Sequence, residues 1–338
     1  MKKLSQITTV VTILLTMLFF VAIYRHFNTI HKSPNKSTMV DTLPEEHDLT
    51  IGWSVYNASF EFFQAMQQGL LDRAAELNMK VIPHDQKSQT SEMISGVADL
   101  IDQGIDALVI SPINPNAMII IANMTKEAGI PLVIVDIGTG GVDYDAFIIS
   151  DSYGGGVLAG EYAISLIKSH DLTSKNFAII KTEESARYAN RRGDAFKRVL
   201  TDEGYNLIAE VIANSDEIEA YDAMKSILPD YKDDLAIVFA ENDRMAIGAA
   251  RAINEAGKKG EILVIGFDGD PAAIAAIKSG DMQGTIAQKP DDMGRLGADS
   301  AYKILNGENI IYDDRNAKEL LVEVYLIDEN GEMRTTSP

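Results

Sequence analysis

The stretch LVIGFDGDPAAIAAIKSG, Leu263–Gly280, decides how this chain is read. Its first residues, Leu263 to Phe267, are apolar apart from one glycine, the pattern of a strand covered on both faces. The strand runs into two carboxylates, Asp268 and Asp270, around Gly269. Pro271 then opens an alanine-rich helix at the position where a missing N–H costs nothing. Strand, acid and helix in that order make a βα unit. Asp268 then stands at the carboxyl end of the strand, where open α/β sheets gather their ligands. Asp270, directly before Pro271, takes the N-cap position. An EF-hand needs acids spread through a longer loop that closes on Glu, and the helix leaves no room for one. A phosphatase-like loop wants Thr or Val after the second acid and a supporting lysine, and neither is present.

The same unit repeats along the chain. From Leu49, apolar runs such as LTIGWSV, DALVISP and PLVIVD alternate with helical segments such as FFQAMQQGLLDRAAEL and TSEMISGVADLIDQG. The alternation restarts after Asp151 with YGGGVLAGEYAISLIKS, NFAIIKT and NRRGDAFKRVLTDEG. Repeated βα units mean a doubly wound α/β fold, and there are too many strands here for one comfortable sheet. Two similar lobes are expected.

Composition narrows the partners. With 30 Lys+Arg against 50 Asp+Glu the formal charge is -20, which disfavours nucleic acid and anionic lipid surfaces and favours a neutral or cationic ligand. No cysteine is present, so disulfides, thiolate nucleophiles and thiolate metal sites are excluded. The 5 histidines are scattered and form no ligand pair, so no metal site is expected. GGGVLAG, Gly154–Gly160, lacks the Lys-Ser/Thr of a phosphate loop and reads as close helix packing; no cofactor is expected.

At the N-terminus, ITTVVTILLTMLFFVAIY, Ile7–Tyr24, carries no charge. As a helix it would be about 27 Å long, enough for the hydrocarbon core of a membrane. An uncleaved anchor is expected, because no small-residue cleavage site follows; a cleaved signal peptide is the alternative. The polar HKSPNKSTMVDTLPEEHD after it reads as a stalk.

The polar residues that follow the strands are Tyr56, Ser111, Asp136, Asp151, Asn242, Asp268 and Gln288, with aromatics at Phe60, Phe62 and Phe63. Hydroxyls, amides and carboxylates beside aromatic faces suit a polyhydroxylated ligand. No nucleophile stands beside a base, so an enzyme is not expected. Of Arg187, Arg191 and Arg192, one is a candidate to reach the same space.

FAENDRMAIGAARAI, VIGFDGDPAAIAAIKSG and GTIAQKP, together with FFQAMQQG, ISPINPNA and LVIVD, resemble the ribose-type periplasmic sugar-binding proteins, of the type I substrate-binding fold. The resemblance covers Leu49 to about Ile327 and implies two lobes joined by three crossing strands, near Ser150-Asp151, Asp268-Gly269 and Gln288-Lys289. The expected layout is residues 1–30 as anchor or signal, 31–48 as stalk, 49–150 with 289–318 as the first lobe, and 151–288 with 319–328 as the second. The resemblance also places Asn242, Asp268, Gln288 and Asp136 on sugar hydroxyls, and Phe62 and Phe63 on the ring. The chain departs from the family at Ile137, where an arginine is common, at Phe60, and at Asn190, an arginine position with Arg191 beside it. The implied function is closure of the lobes on a sugar or sugar-like polyol, most simply as the binding component of an ABC-type importer working with a permease. The alternative is an anchored sensor that presents its closed form to a histidine kinase.

Overall fold

The computed structural model describes residues 48–335. The apolar run Ile7–Tyr24 and the stalk up to His47 lie outside the described residues. Among the described ones no helix is long and apolar enough to cross a membrane.

The first lobe begins with β1 (Thr50–Val55), α1 (Glu61–Glu76), β2 (Lys80–Asp85) and α2 (Thr90–Asp102). It continues through β3 (Ala107–Ile110), α3 (Met118–Ala128), β4 (Leu132–Val135) and β5 (Ala146–Ser150). The second lobe takes α4 (Ser152–Ser169), β6 (Asn176–Lys181), α5 (Arg187–Asp202), β7 (Asn206–Ile212) and α6 (Glu217–Tyr231). Then come β8 (Ile237–Ala240), α7 (Asp243–Glu255), β9 (Leu263–Asp268), α8 (Pro271–Lys278) and β10 (Gly284–Ala287). The chain returns to the first lobe for α9 (Pro290–Leu305) and β11 (Glu319–Val322), and ends in the second with β12 (Tyr325–Asp328) and β13 (Met333–Thr335).

Among the described residues the first sheet has 6 strands in the order β11-β5-β4-β3-β1-β2, and every pairing in it is parallel. The second has 7, in the order β13-β12-β10-β9-β8-β6-β7, parallel except where β12 meets β10 and β13. Strand residues alternate between two helical layers, as the period of two requires. Ile51, Trp53 and Val55 pack on Met66 and Leu70 of α1, while Leu108 and Ile110 of β3 face Met93 and Val97 of α2. In the second lobe Phe177 and Ile179 join the α4–α5 side, and Ala178 and Ile180 the α6–α7 side.

α9 lies backbone to backbone against α1. A Cβ on Gly294 would fall 1.9 Å from the Met66 carbonyl oxygen, and one on Gly69 would fall 2.1 Å from that of Asp291. Only glycine permits that approach. Glycines of the Gly154–Gly160 run serve the same end: a Cβ on Gly156 would meet the Arg192 carbonyl oxygen at 2.2 Å.

The lobes are joined by three passages of the chain: Ser150-Asp151, Gln288-Lys289, and Glu323-Val324 between β11 and β12. Two expectations are corrected here. Asp268-Gly269 is no passage, because β9 and the helix after it both stay in the second lobe, with β9 paired to β8 and β10. Residues Glu319–Val322 belong to the first lobe, because β11 pairs with β5 from Glu319↔Phe147 to Val322↔Ser150. The sequence placed those residues in the second lobe because ELLV carries no mark of which sheet it joins.

Ion pairs brace the passages. Lys289 and Glu323, on two neighbouring passages, stand 2.9 Å apart. Arg191 of α5 reaches across to Glu319 of β11 with two parallel bonds of 2.9 and 2.8 Å, tying the second lobe to the first. Glu319 is buried whereas Arg191 is well exposed, so the pair is worth about 1–2 kcal/mol. Arg191→Ala should therefore shift the unliganded protein toward a more open form by roughly five- to thirtyfold. Small-angle scattering reads this as a larger radius of gyration than the parent; an unchanged radius would show that the pair does not hold the lobes.

Candidate ligand site

Between the lobes lies a cavity of about 700 Å³. The first lobe contributes Phe60, Phe62, Phe63, Asp136 and Ile137; the second contributes Thr182, Tyr188, Arg192, Asn242, Asp268 and Gln288. Glu61, Arg244 and Asp270 complete its charged lining.

Each side chain is placed by the end of an element. Phe63 is held by α1 and stacks on Tyr56, with ring centres 5.2 Å apart and planes 10° from parallel. Phe62 meets Phe63 edge to face at 5.3 Å, and Phe60 stands half exposed at the rim. Tyr56 therefore supports the aromatic wall from behind and is not among the cavity's lining residues.

Asp268 ends β9 with φ at 124°, and Asp136 follows β4 with φ at 68°, both in the region that favours glycine. Such strain is retained where the surrounding fold holds it, often at functional positions. Gly269, with φ at 79°, lets the turn after Asp268 approach Ala287 so closely that a Cβ would sit 2.5 Å from the Ala287 Cβ.

Asp268 Oδ1 accepts from Arg192 Nη1 at 3.0 Å and from Gln288 Nε2 at 2.7 Å. Gln288 Oε1 in turn accepts from Ser150 Oγ at 2.7 Å, so one chain of bonds runs from the second-lobe acid to the first passage. Arg192 also donates to the Glu241 carbonyl oxygen at 2.7 Å, and its guanidinium carbon lies 3.7 Å from the centre of the Phe267 ring. Asn242 Oδ1 caps α7 by accepting from Met245 N at 3.0 Å, which leaves its amide nitrogen for the cavity.

The other expected residues fall elsewhere. Arg191 is engaged by Glu319 and lies outside the cavity lining, and Arg192 occupies the place expected of it. The register of α5 is the cause: Ala189, Arg192, Gly193 and Phe196 recur at helical spacing and share its buried face, from which Arg191 is turned away. That periodicity was present in the sequence. Asn190 approaches Thr182 at 3.4 Å and lines a separate, smaller recess with Lys181 and Glu210. Ser111 is buried and its hydroxyl has no partner among the described residues. Asp270 stands at the N-cap position of α8, but its side chain makes no capping bond; its carboxylate belongs to the cavity instead. Its loop is fixed from below by Asp243, which accepts from Asp270 N and Thr285 Oγ1 at 2.8 Å each.

Burial sets the charge of the site. It pushes Asp136 up to about 7, with the nearby Asp268 carboxylate adding to the rise and the Arg192 guanidinium opposing it. Burial raises Asp268 to about 6 although Arg192 pulls it down. Asp270 is raised as well, again by burial, against the pull of Arg244.

The profile of the periplasmic binding protein domain matches residues 51–309. This chain belongs to that family. The ribose import binding protein of Bacillus subtilis (strain 168) is 32% identical over 265 residues, 78% of this chain and 84% of the relative. That of Escherichia coli (strain K12) is 31% identical over 261 residues, 77% of this chain and 86% of its own. Among solved structures, an ABC transporter solute binding protein from Bacillus halodurans C-125 with bound myo-inositol superposes with a TM-score of 0.70 at 26% identity, covering 85% of this chain and 96% of that one.

The raised acids make this binding protein sensitive to pH. Asp136 and Asp268 hold protons more tightly when folded than when unfolded, where a carboxyl titrates near 3.8. Their contribution to stability is full below that value and is lost as pH rises through 6 to 7. Between pH 5 and pH 8 the unliganded protein should lose about 1–2 kcal/mol from this source, the open cavity screening part of the effect. Thermal unfolding across that range checks it: Asp136→Asn should flatten the slope, and an unaltered slope would show that Asp136 does not contribute.

Proposed function

We propose that this protein binds a sugar or sugar-like polyol between its lobes outside the cytoplasm, and acts as the substrate-binding component of an ABC-type importer. The observation that carries this reading is the cavity itself. Phenylalanines of one lobe face a carboxylate, a carboxamide and a guanidinium of the other, already linked by Asp268. Aromatic faces cover C–H surfaces, while fixed polar groups sort hydroxyl positions. Asp136, Asn242, Asp268 and Gln288, with Arg192 added, are the proposed hydroxyl contacts, and Phe60, Phe62 and Phe63 the proposed ring contacts. Contacts from both lobes make closure the output, since the ligand stabilises the closed form by what it gains there. The relatives named as import binding proteins favour the importer over the sensor. The role is one of binding, not turnover.

Calorimetry against pentoses, hexoses and polyols tests the reading. One of them should bind, and Asp268→Ala should weaken that binding by about 2–4 kcal/mol, or thirty- to a thousandfold, with thermal unfolding reporting that the variant is folded although Arg192 has lost its partner. If none bound, the reading would fail; if Asp268→Ala bound normally, the assignment of the site would.

The apolar run Ile7–Tyr24 completes this reading as a membrane anchor, supported by its length and lack of charge. The full-length chain should stay with the membrane fraction through an alkaline wash, and release into the supernatant would argue for cleavage.

A further inference from the structure

The two acids that end β4 and β9 are treated unequally. Asp268 receives two donors, Arg192 and Gln288. Asp136 lines the same cavity, yet among the described residues no donor reaches its carboxylate. Ile137, next in the chain, lines the same wall and supplies no charge. Nearby, Tyr188 packs its ring 3.6 Å from where a Cβ on Gly138 would sit, sealing the first-lobe loop that follows Asp136.

The charges of the lining do not balance. Glu61, Asp136, Asp268 and Asp270 are set against Arg192 and Arg244 alone. Arg192 gives its hydrogen bond to Asp268 and reaches Asp136 only through space, and Arg244 is shared with Asp216 at 4.0 Å. When the lobes close, Asp136 must therefore take its hydrogen-bond donor from the ligand, and a charge at contact distance as well if it is to stay ionised. A neutral hydroxyl brings only the first; the carboxylate then stays buried and ionised at a cost, or takes up a proton. A protonated amine brings both. The phenylalanine rings in the same lining accept a cation near their faces, and the acidic surface of the whole protein draws cations in.

We infer that the ligand carries a protonated primary amine received by Asp136, so that the cavity takes an amino sugar or an aminated cyclitol. This rests on the polyol reading above and narrows it: hydroxyls meet Asp268, Gln288 and Asn242, and the ammonium meets Asp136.

The experiment is calorimetry at pH 7.5 with matched pairs, each sugar or cyclitol beside the analogue in which an amine replaces one hydroxyl. D-glucose with D-glucosamine, D-galactose with D-galactosamine, and myo-inositol with its monoamino counterpart serve, and the N-acetylated sugars act as neutral controls. In at least one pair the amine should bind about tenfold more tightly than its parent, the difference between a charge-assisted and a neutral hydrogen bond. N-acetylation should abolish the preference. So should Asp136→Asn, with the unliganded unfolding midpoint reporting that the variant is folded. Ile137→Arg, which places a guanidinium beside the carboxylate, should turn the preference toward the neutral member. If the neutral parents bind as tightly as the amines in every pair, the inference is overturned while the polyol reading stands. If neither member of any pair binds, the polyol reading falls and this inference with it.

Discussion

A buried guanidinium organises the ligand-facing half of this protein. Arg192 is 4% exposed, so its charge must be met within the fold. Asp268 meets it, Gln288 fixes Asp268, and Ser150 at the first passage fixes Gln288. Phe267 lies against the guanidinium and the Glu241 carbonyl takes a further N–H. Site and hinge thus share one hydrogen-bonded chain. The bonds run from Asp268 at the cavity to Ser150 at the first passage through Gln288 alone.

The arrangement is asymmetric between lobes. The second-lobe acid is pinned by two donors, whereas Asp136 stands in a strained backbone conformation with no hydrogen-bond donor on its carboxylate among the described residues. Positive φ at an aspartate costs about 1–3 kcal/mol and persists only when the surrounding structure enforces it. Here the bond from Asp136 N to the Ile148 carbonyl holds the turn at the end of β4. The first lobe keeps a preformed but unsatisfied acceptor, and the second keeps a satisfied one.

Much of this was legible in the sequence, for physical reasons. Strands buried on both faces are unbroken apolar runs, so the βα order and the strand-end residues could be read off directly. Asp136, Asn242, Asp268 and Gln288 converge because each follows such a run. Less legible were matters of partner choice. ELLV could pair in either sheet, and only β5 decides that it joins the first. Three arginines crowd the start of α5, and only helical register separates the buried Arg192 from Arg191. Asp270 has the residue type and position of a cap, but the geometry at Pro271 leaves its carboxylate free of the helix. The cross-lobe bond of Arg191 depends on a residue more than a hundred positions away, which no local pattern reports.

The return of the chain after Gln288 has a consequence for how the protein is made. The face of α1 that carries Met66 and Leu70 is shielded by α9, and the edge of β5 is covered by β11. Until the ribosome has delivered residues near Val322, the early lobe has an uncovered apolar flank and an open strand edge. Both are surfaces that holdases recognise and that aggregation exploits. The late return of these elements delays completion of the first lobe until most of the polypeptide exists.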